Sequence, residues 1–393
     1  MLCNTEKCTG CGACHNCCPT DAIRMLPDME GFLVPRIDDE LCTDCGACAK
    51  VCPELHSSTP RRDMPPQAFA CWNRDGDVRM KSASGGVFSV LADRVLCAGG
   101  TVCGAAFDEN LAVKHILVHD MHSLCRLRSS KYVQSDIGAT YREVKAYLRS
   151  RKQVLFSGTP CQVAGLYGFL GKDYDNLITC DVLCHGVPSP LYFSHFLCYL
   201  EYHFGARISG INFRDKRYDW QWNSVFVQFS GGKEKCLSGH QKGYLRAFYR
   251  GLSLREACYN CHYSATKRPG DISLGDFWGI GKSIPFEHPT RRGISLGIVN
   301  SPKGQELFVR SDSRLDFEIR PLHEAVEKNR ALSQPTTRPP ERSQFYKDLL
   351  AMSFEEVNRK YQLTGRFTIL QKILAWKAFQ VIRFKLSSII LGS

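Results

Sequence analysis

From residue 68 onward the apolar positions keep the two periods of a mixed α/β fold. Short apolar runs predict strands at 68–72, 101–107, 113–118, 153–156, 177–183 and 294–299. Helical spacing of apolar residues predicts helices at 86–96, 137–150, 191–204 and 303–311. Runs at 225–229 and 235–237, parted by Gly231-Gly232, predict a hairpin. The stretch 57–67, with Ser57-Ser58-Thr59-Pro60 and Pro65-Pro66, reads as a linker, and the Pro/Thr-rich 334–340 as a loop. Near the end, 366–391 mixes apolar residues such as Ile369, Trp376 and Phe384 with five Lys/Arg and no acid. Charges interrupt every apolar stretch, so a spanning helix of roughly 20 apolar residues is ruled out there. The tail reads either as a membrane-surface helix drawn to anionic lipid or as a helix docked on the body or a partner.

The segment before the linker is organised by cysteine. Cys8, Cys11, Cys14 and Cys18 are followed by Pro19, and Cys42, Cys45, Cys48 and Cys52 by Pro53. Both runs read C-x2-C-x2-C-x3-C-P, the pattern of bacterial-type ferredoxins with two [4Fe-4S] clusters. In that pattern three close thiolates hold one cubane and the fourth ligates the other. Cys8, Cys11, Cys14 and Cys52 are thereby assigned to a first cluster, and Cys18, Cys42, Cys45 and Cys48 to a second. Gly12 and Gly46 permit close backbone approach and positive φ. Zinc sites pair two short knuckles and fit two proline-terminated runs poorly. Cys3 and Cys17 fall outside the register and are read as non-ligands.

Composition narrows the setting. At 393 residues and 44% hydrophobic, the chain has material for two or three domains. Its 21 cysteines would imply a disulfide scaffold only in an exported protein. Residues 1–7 show neither an apolar stretch nor a cleavage signature, so a cytoplasmic, metal-rich protein is expected, with peripheral contact at the inner membrane face if the tail binds lipid. Residues 1–60 carry nine acids against four bases, whereas 357–393 carry seven bases and no acid. With +12 overall, the middle is strongly basic. An acidic lobe beside a basic body suggests electrostatic docking and suits an anionic cofactor. No nucleic-acid recognition motif is present, so nucleic acid is not an expected partner.

The body holds further candidate chemistry. Cys161 follows Ser157-Gly158-Thr159-Pro160, Cys184 opens Cys184-His185-Gly186-Val187-Pro188, and Cys258 and Cys261 form a C-x2-C knuckle. These four can hold a third cubane; buried structural cysteines, or a zinc knuckle at Cys258 and Cys261, are the alternatives. Ser82-Ala83-Ser84-Gly85-Gly86 precedes an apolar helix and offers backbone N–H groups to an anion such as a flavin pyrophosphate; a plain N-cap at Ser84 is the alternative. In 270–279 an acid and an aromatic, Asp276 and Trp278, lie beside flexible glycines, as a ligand wall or a structural turn.

Together these motifs resemble the beta subunits of coenzyme F420 hydrogenase and dehydrogenase, from about residue 68 to 342. The resemblance rests on 82–86, Ser130-Lys131-Tyr132-Val133-Gln134-Ser135, 158–162, 184–190, Phe213-Arg214-Asp215-Lys216, 258–261 and 271–279. Relatives with an N-terminal ferredoxin include dehydrogenase subunits that oxidise the reduced deazaflavin, plant hydroxymethyl chlorophyll reductase is similar, and many similar bacterial proteins accompany surface-polysaccharide genes. The resemblance implies one FAD and a body-held [4Fe-4S] cluster on Cys161, Cys184, Cys258 and Cys261. It implies that Ser84, Gly85 and Gly86 cradle FAD phosphate, that Lys131, Tyr132, Ser135 and Thr159 line the flavin, and that Asp276 and Trp278 lie near it. His185, beside a ligand cysteine, is a candidate proton donor or a hydrogen-bond partner of cluster sulfur.

The expected architecture is a ferredoxin-like module (1–56), the linker, a mixed α/β flavin-binding body in two parts (68–150 and 151–342) and a helical tail (343–393). The expected function is an iron-sulfur flavoprotein oxidoreductase that draws on a redox partner protein and transfers hydride to or from an anionic small molecule such as coenzyme F420. The alternative is an electron-delivery subunit for a partner reductase, in a pathway such as surface-polysaccharide synthesis, with no substrate of its own.

Overall fold

The computed structural model of the chain describes residues 2–363 apart from 57, 58, 61 and 223. The N-terminal module folds around an antiparallel ribbon, β1 (Ile23–Pro27) and β2 (Leu33–Ile37). The body follows with β3 (Gln67–Asn73), β4 (Thr101–Phe107), β5 (Val113–Val118), β6 (Val154–Gly158) and β7 (Leu177–Val182). A small sheet comprises β8 (Ile208–Asp215), β9 (Ser224–Phe229) and β10 (Glu234–Cys236), and the chain then returns with β11 (Ile272–Asp276), β12 (Ser295–Val299) and β13 (Leu315–Arg320). The large sheet has the order β13-β3-β12-β11-β7-β6-β4-β5. Its centre, β4, β6, β7 and β11, is parallel, and the strands flanking that centre are antiparallel.

Helices cover both faces of this sheet. Along β6, Val154 and Phe156 enter one core with helices Thr140–Arg149 and Pro160–Leu170. Leu155 points oppositely, into a core with helices Val87–Cys97 and Pro302–Arg310. Period-two alternation feeds both cores, which is why the central strands read as unbroken apolar runs. A third core joins the small sheet to helices Pro190–Phe204, Gly243–Tyr249, Arg342–Ala351 and Phe354–Lys360.

Most predicted elements appear within a few residues of their expected bounds, and β4 and β5 coincide with them. The 270–279 stretch differs: it is not a turn, since Ile272–Asp276 forms a buried strand of the parallel centre. The helical tail also begins differently. Residues 343–363 are part of the body, with Phe345, Leu349, Phe354, Val357 and Leu363 buried in the same core as Tyr192 and Tyr244. The basic, apolar stretch 366–391 lies outside the described residues. No helix among the described residues is long and apolar enough to cross a membrane.

The module is packed into the body. Cys11 and Ala13 share a core with Tyr141, Phe156 and Val163, and Phe32 joins the third core. The expected charge complementarity is present at two points, Arg142–Asp21 at 2.6 Å and Arg342–Glu30. Further docking bonds run from arginines to backbone carbonyls. Arg142 donates to Asn16 O (2.7 Å), His15 O (3.0 Å) and Cys18 O (3.2 Å), and Arg255 Nε to Cys8 O (2.6 Å). These carbonyls belong to the cluster-bearing loops, so the arginines fix the loops to the body.

Candidate active site

A cleft of about 710 Å³ opens at the carboxyl ends of β4, β6, β7 and β11. Ligands of α/β sheets commonly bind at this edge, because the loops that leave parallel strands converge there. Its walls come from the 82–89 segment, the 128–135 segment, the turn after β6, the turn after β7 and the end of β11, and Thr9 and Gly10 of the module complete it.

Nearly all predicted flavin residues meet here: Ser84, Gly86, Lys131, Tyr132, Ser135, Thr159, Asp276, Trp278 and His185 line the cleft. Gly85 does not. A Cβ there would stand 2.5 Å from Cys71 O and 2.8 Å from Ser295 N, and its own N–H donates to Ser295 Oγ (2.9 Å). Gly85 therefore lets the loop lie against the sheet and offers no free donor to a phosphate. Ser84 does not cap the helix, because its Oγ donates to Ile294 O (2.9 Å) and Gly86, at φ 81°, is the N-cap residue.

The other side chains are held individually. Lys131 Nζ donates to the carbonyls of Arg126 (2.8 Å), Arg128 (2.7 Å) and Ser129 (3.4 Å), and burial brings its pKa down to about 7. Ser135 Oγ lies 2.7 Å from His115 Nδ1, while His115 Nε2 lies 3.1 Å from Ser157 O. A carbonyl only accepts, so Nε2 carries the proton and Ser135 donates to Nδ1. Burial lowers His115 to about 4, which keeps the ring neutral. Thr159 N donates to Gln162 Oε1 (3.0 Å) in a capping box that starts helix Pro160–Leu170, and Thr159 Oγ1 lies 3.1 Å from Cys161 Sγ. Asp276 pairs with Arg214 (2.7 and 3.2 Å) and accepts from Trp220 Nε1 (2.7 Å). Trp278 stacks on Trp220 at 4.9 Å, with the Arg214 guanidinium 5.3 Å above it. Asp276 thus fixes Arg214 and an indole stack, and its charge is already compensated. His185 packs its ring edge on Phe248, and its buried Nε2 has no hydrogen-bond partner among the described residues.

Cys161, Cys184, Cys258 and Cys261 come together beside the cleft, close enough that Cys258 and Cys261 raise the pKa of Cys161 and of Cys184. Burial first, then these neighbours, pushes Cys184 up to about 12 and Cys258 up to about 11. Cys161 and Cys184 also form part of the cleft wall. Four half-buried thiols in one place are a soft donor set, and as thiolates they are metal ligands. Among the described residues, no three His, Cys, Asp or Glu side chains stand at single-ion spacing.

In the module, Cys8, Cys11, Cys14 and Cys52 line one small cavity. Cys3, expected outside the ligand register, lines the same cavity and therefore stands in the first site as a fifth thiol. Cys17 donates to Cys14 O (3.3 Å) and neighbours Cys18, Cys45 and Cys48. Gly12 and Gly46 take the anticipated left-handed backbone, at φ 76° and 69°. Cys11 packs on Gly165 of helix Pro160–Leu170, where a Cβ would stand 2.8 Å from Cys11 Cβ and 2.9 Å from its Sγ. The first site thus presses on the helix that carries Cys161. Cys42 and Cys45 of the second set are exposed.

Sequence reasoning missed Thr9, Gly10, His115 and Arg128 as cleft residues, and assigned Arg214 no role. Only the three-dimensional path of the chain brings the first two there.

Residues 151–325 match the family described as the C terminus of the coenzyme F420 hydrogenase/dehydrogenase beta subunit. Residues 7–55 match that described as 4Fe-4S dicluster domain. No curated protein matches the chain. Thirteen chains of solved structures match it. One belongs to the xenon-derivatised F420-reducing [NiFe] hydrogenase complex from Methanosarcina barkeri, at 16% identity and a TM-score of 0.46, covering 80% of this chain and 97% of that one. The chain therefore joins an N-terminal 4Fe-4S dicluster domain to the C-terminal domain of the coenzyme F420 hydrogenase/dehydrogenase beta-subunit family.

Proposed function

We propose that this protein is an iron-sulfur, FAD-dependent oxidoreductase that passes electrons between a redox partner protein and a diffusible anionic acceptor, coenzyme F420 or a related compound. The observation that carries this reading is a continuous path: Cys11 packs at Gly165, that helix bears Cys161, and Cys161 and Cys184 stand in the cleft wall. On this reading Cys8, Cys11, Cys14 and Cys52 hold an inner cluster, Cys18, Cys42, Cys45 and Cys48 an outer one, and Cys161, Cys184, Cys258 and Cys261 a third. The exposed Cys42 and Cys45 mark the face that a partner approaches.

The cleft suits FAD on three counts. Its volume lies in the usual range for cofactor pockets, about 300–1,000 Å³. Arg128, Lys131, Arg214 and Arg330 give it a cationic lining, which favours a pyrophosphate. The orphaned Nε2 of His185 is a buried polar atom that a ligand would satisfy. FAD supplies two-electron chemistry beside one-electron clusters, and the protein sets distance, orientation and charge. Ser84, Gly86, Lys131, Tyr132, Ser135 and Thr159 would hold it. His115 keeps the Ser135 proton pointed at Nδ1 and leaves the serine lone pairs to the cleft. Arg214, locked by Asp276, holds the Trp278 wall of the cleft in a fixed orientation.

The test is anaerobic purification of the full chain with iron, sulfide and flavin counts, then stopped-flow mixing of photoreduced protein with coenzyme F420, nicotinamide cofactors and quinone analogues. About twelve irons and one FAD are expected, with reoxidation by an anionic acceptor that slows at high salt. About eight irons and no flavin would contradict the reading. Reoxidation only by a co-purifying protein would favour the delivery-subunit alternative.

A further inference from the structure

A second cavity, of about 780 Å³, lies over the end of β3 and the start of β13. Arg74, Arg79, Arg291, Arg292 and His288 line it, and Asp316 is the one acid among its lining residues. Asp316 is already paired with Arg74 at 2.9 Å. Three arginines are left without a carboxylate partner among the described residues.

Arg79 is the informative one. It is 9% exposed, and its Nε and Nη2 both donate to Gly293 O (3.0 and 2.6 Å). Its guanidinium lies 5.5 Å over the Trp72 ring. Nη1 makes no hydrogen bond among the described residues, so a donor and a full charge remain to be met. Burial and the nearby Arg292 hold its pKa down at about 10, the mark of a cation short of an anion. Burying a charge is costly unless a counter-charge meets it, and one carbonyl and one ring do not neutralise a guanidinium.

A buried lysine sits behind this one. Lys216 Nζ donates to the carbonyls of Arg79 (2.5 Å), Arg292 (2.8 Å) and Ser84, and has no carboxylate partner either. It ties the base of this groove to the Ser84 loop, which lines the cleft.

We propose that this groove is a second ligand site, separate from the cleft, for a small polyanion bearing two or more phosphate or carboxylate groups. A guanidinium nine-tenths buried at the base of a recess is out of reach of a flat protein surface and within reach of a small molecule. Arg292 and Arg291 at the rim supply the second and third charges, and guanidinium forks match the oxygens of either acid class.

The experiment is isothermal titration of the full-length protein, as isolated with its cofactors, at low ionic strength. Sodium pyrophosphate and sodium citrate are the two probes, and they separate a phosphate from a carboxylate ligand. Saturable one-site binding by at least one probe is expected, weakened by added salt. Arg292→Gln should weaken it about tenfold and Arg79→Gln should abolish it. Arg310→Gln, exposed on another helix and paired with Glu306, should leave it unchanged. Because Arg292 is exposed at the rim, its variant keeps the test valid should Arg79→Gln fail to fold. No binding by either probe, or binding that survives Arg292→Gln at full strength, would overturn the proposal. Flavin content, measured on the same samples, reports on the cleft and keeps this outcome distinct from failure of the proposed function.

Discussion

The two cysteine runs of the N-terminal domain have the same spacing and opposite surroundings. Cys8 and Cys11 are buried, the first under Arg255 and the second against Gly165. Cys42 and Cys45 are exposed, in a loop with Asp39, Glu40 and Asp44 also at the surface. One local motif therefore makes two different sites, and what decides between them is what packs on each. The inner set touches the helix that leads to the cleft; the outer set is left at the surface. Duplication gives the pair, and docking on the body gives it a direction.

The largest effects should come from the ligands. Cys11→Ala and Cys42→Ala should each remove about four irons from the full chain. Reduction of the cleft flavin by a protein donor should be abolished in both. Equal iron content in either variant and wild type would show that the register is misassigned.

Gly165→Ala probes the contact between inner set and body without touching a ligand. The added methyl would overlap Cys11, so a loss of about 1–3 kcal/mol is expected in denaturant unfolding. Electron transfer from module to cleft should slow as well, with iron content unchanged. A fully wild-type rate at reduced stability would mean that this helix is not on the path.

Arg142→Met removes the bonds to three carbonyls of the first cysteine loop and the pair with Asp21. A cost of about 1–3 kcal/mol is expected, because half-buried carbonyls lose a charged donor. The outer half of the module should loosen, seen as faster amide exchange around 15–21. No change in exchange would mean that the arginine is dispensable for docking.

The cleft end of the path responds to pH. Lys131 has its pKa lowered to about 7 by burial, so it is charged below that pH and neutral above it. FAD affinity of the flavin-free protein should therefore fall as pH rises through about 7, and Lys131→Met should flatten the dependence. The smallest effect is expected from Cys17→Ala. Cys17 neighbours the outer set yet lies out of register, and its loss should leave iron content intact while Cys18→Ala costs about four irons.

Much of this was readable in the residues. Strands 101–107 and 113–118, the two cysteine runs of the N-terminal domain and the 130–135 and 157–162 segments of the cleft all carried local signals. Helix Pro160–Leu170 was missed because it is buried on nearly every side, which erases the amphipathic period; the Thr159–Gln162 capping pair was the signal that would have found it. The strand Ile272–Asp276 was hidden by its glycine and its acid, because its burial between β7 and β12 is a tertiary fact. Gly85 read as an anion cradle, but the nearby Ser295 hydroxyl takes its N–H. The docking arginines Arg142, Arg255 and Arg342 gave no local signal at all, since their partners are carbonyls and acids more than a hundred residues away.

On the proposed path the clusters run from outer to inner to body. Anaerobic paramagnetic resonance of the fully reduced full-length protein tests that order directly, with Cys42→Ala compared against Cys11→Ala and iron counted in both. With the outer cluster gone, the two remaining clusters are neighbours, and their signals should be broadened by magnetic interaction. With the inner one gone, the remaining two are far apart and should give narrow, independent signals. Interaction in the Cys11→Ala protein and none in the Cys42→Ala protein would contradict the order.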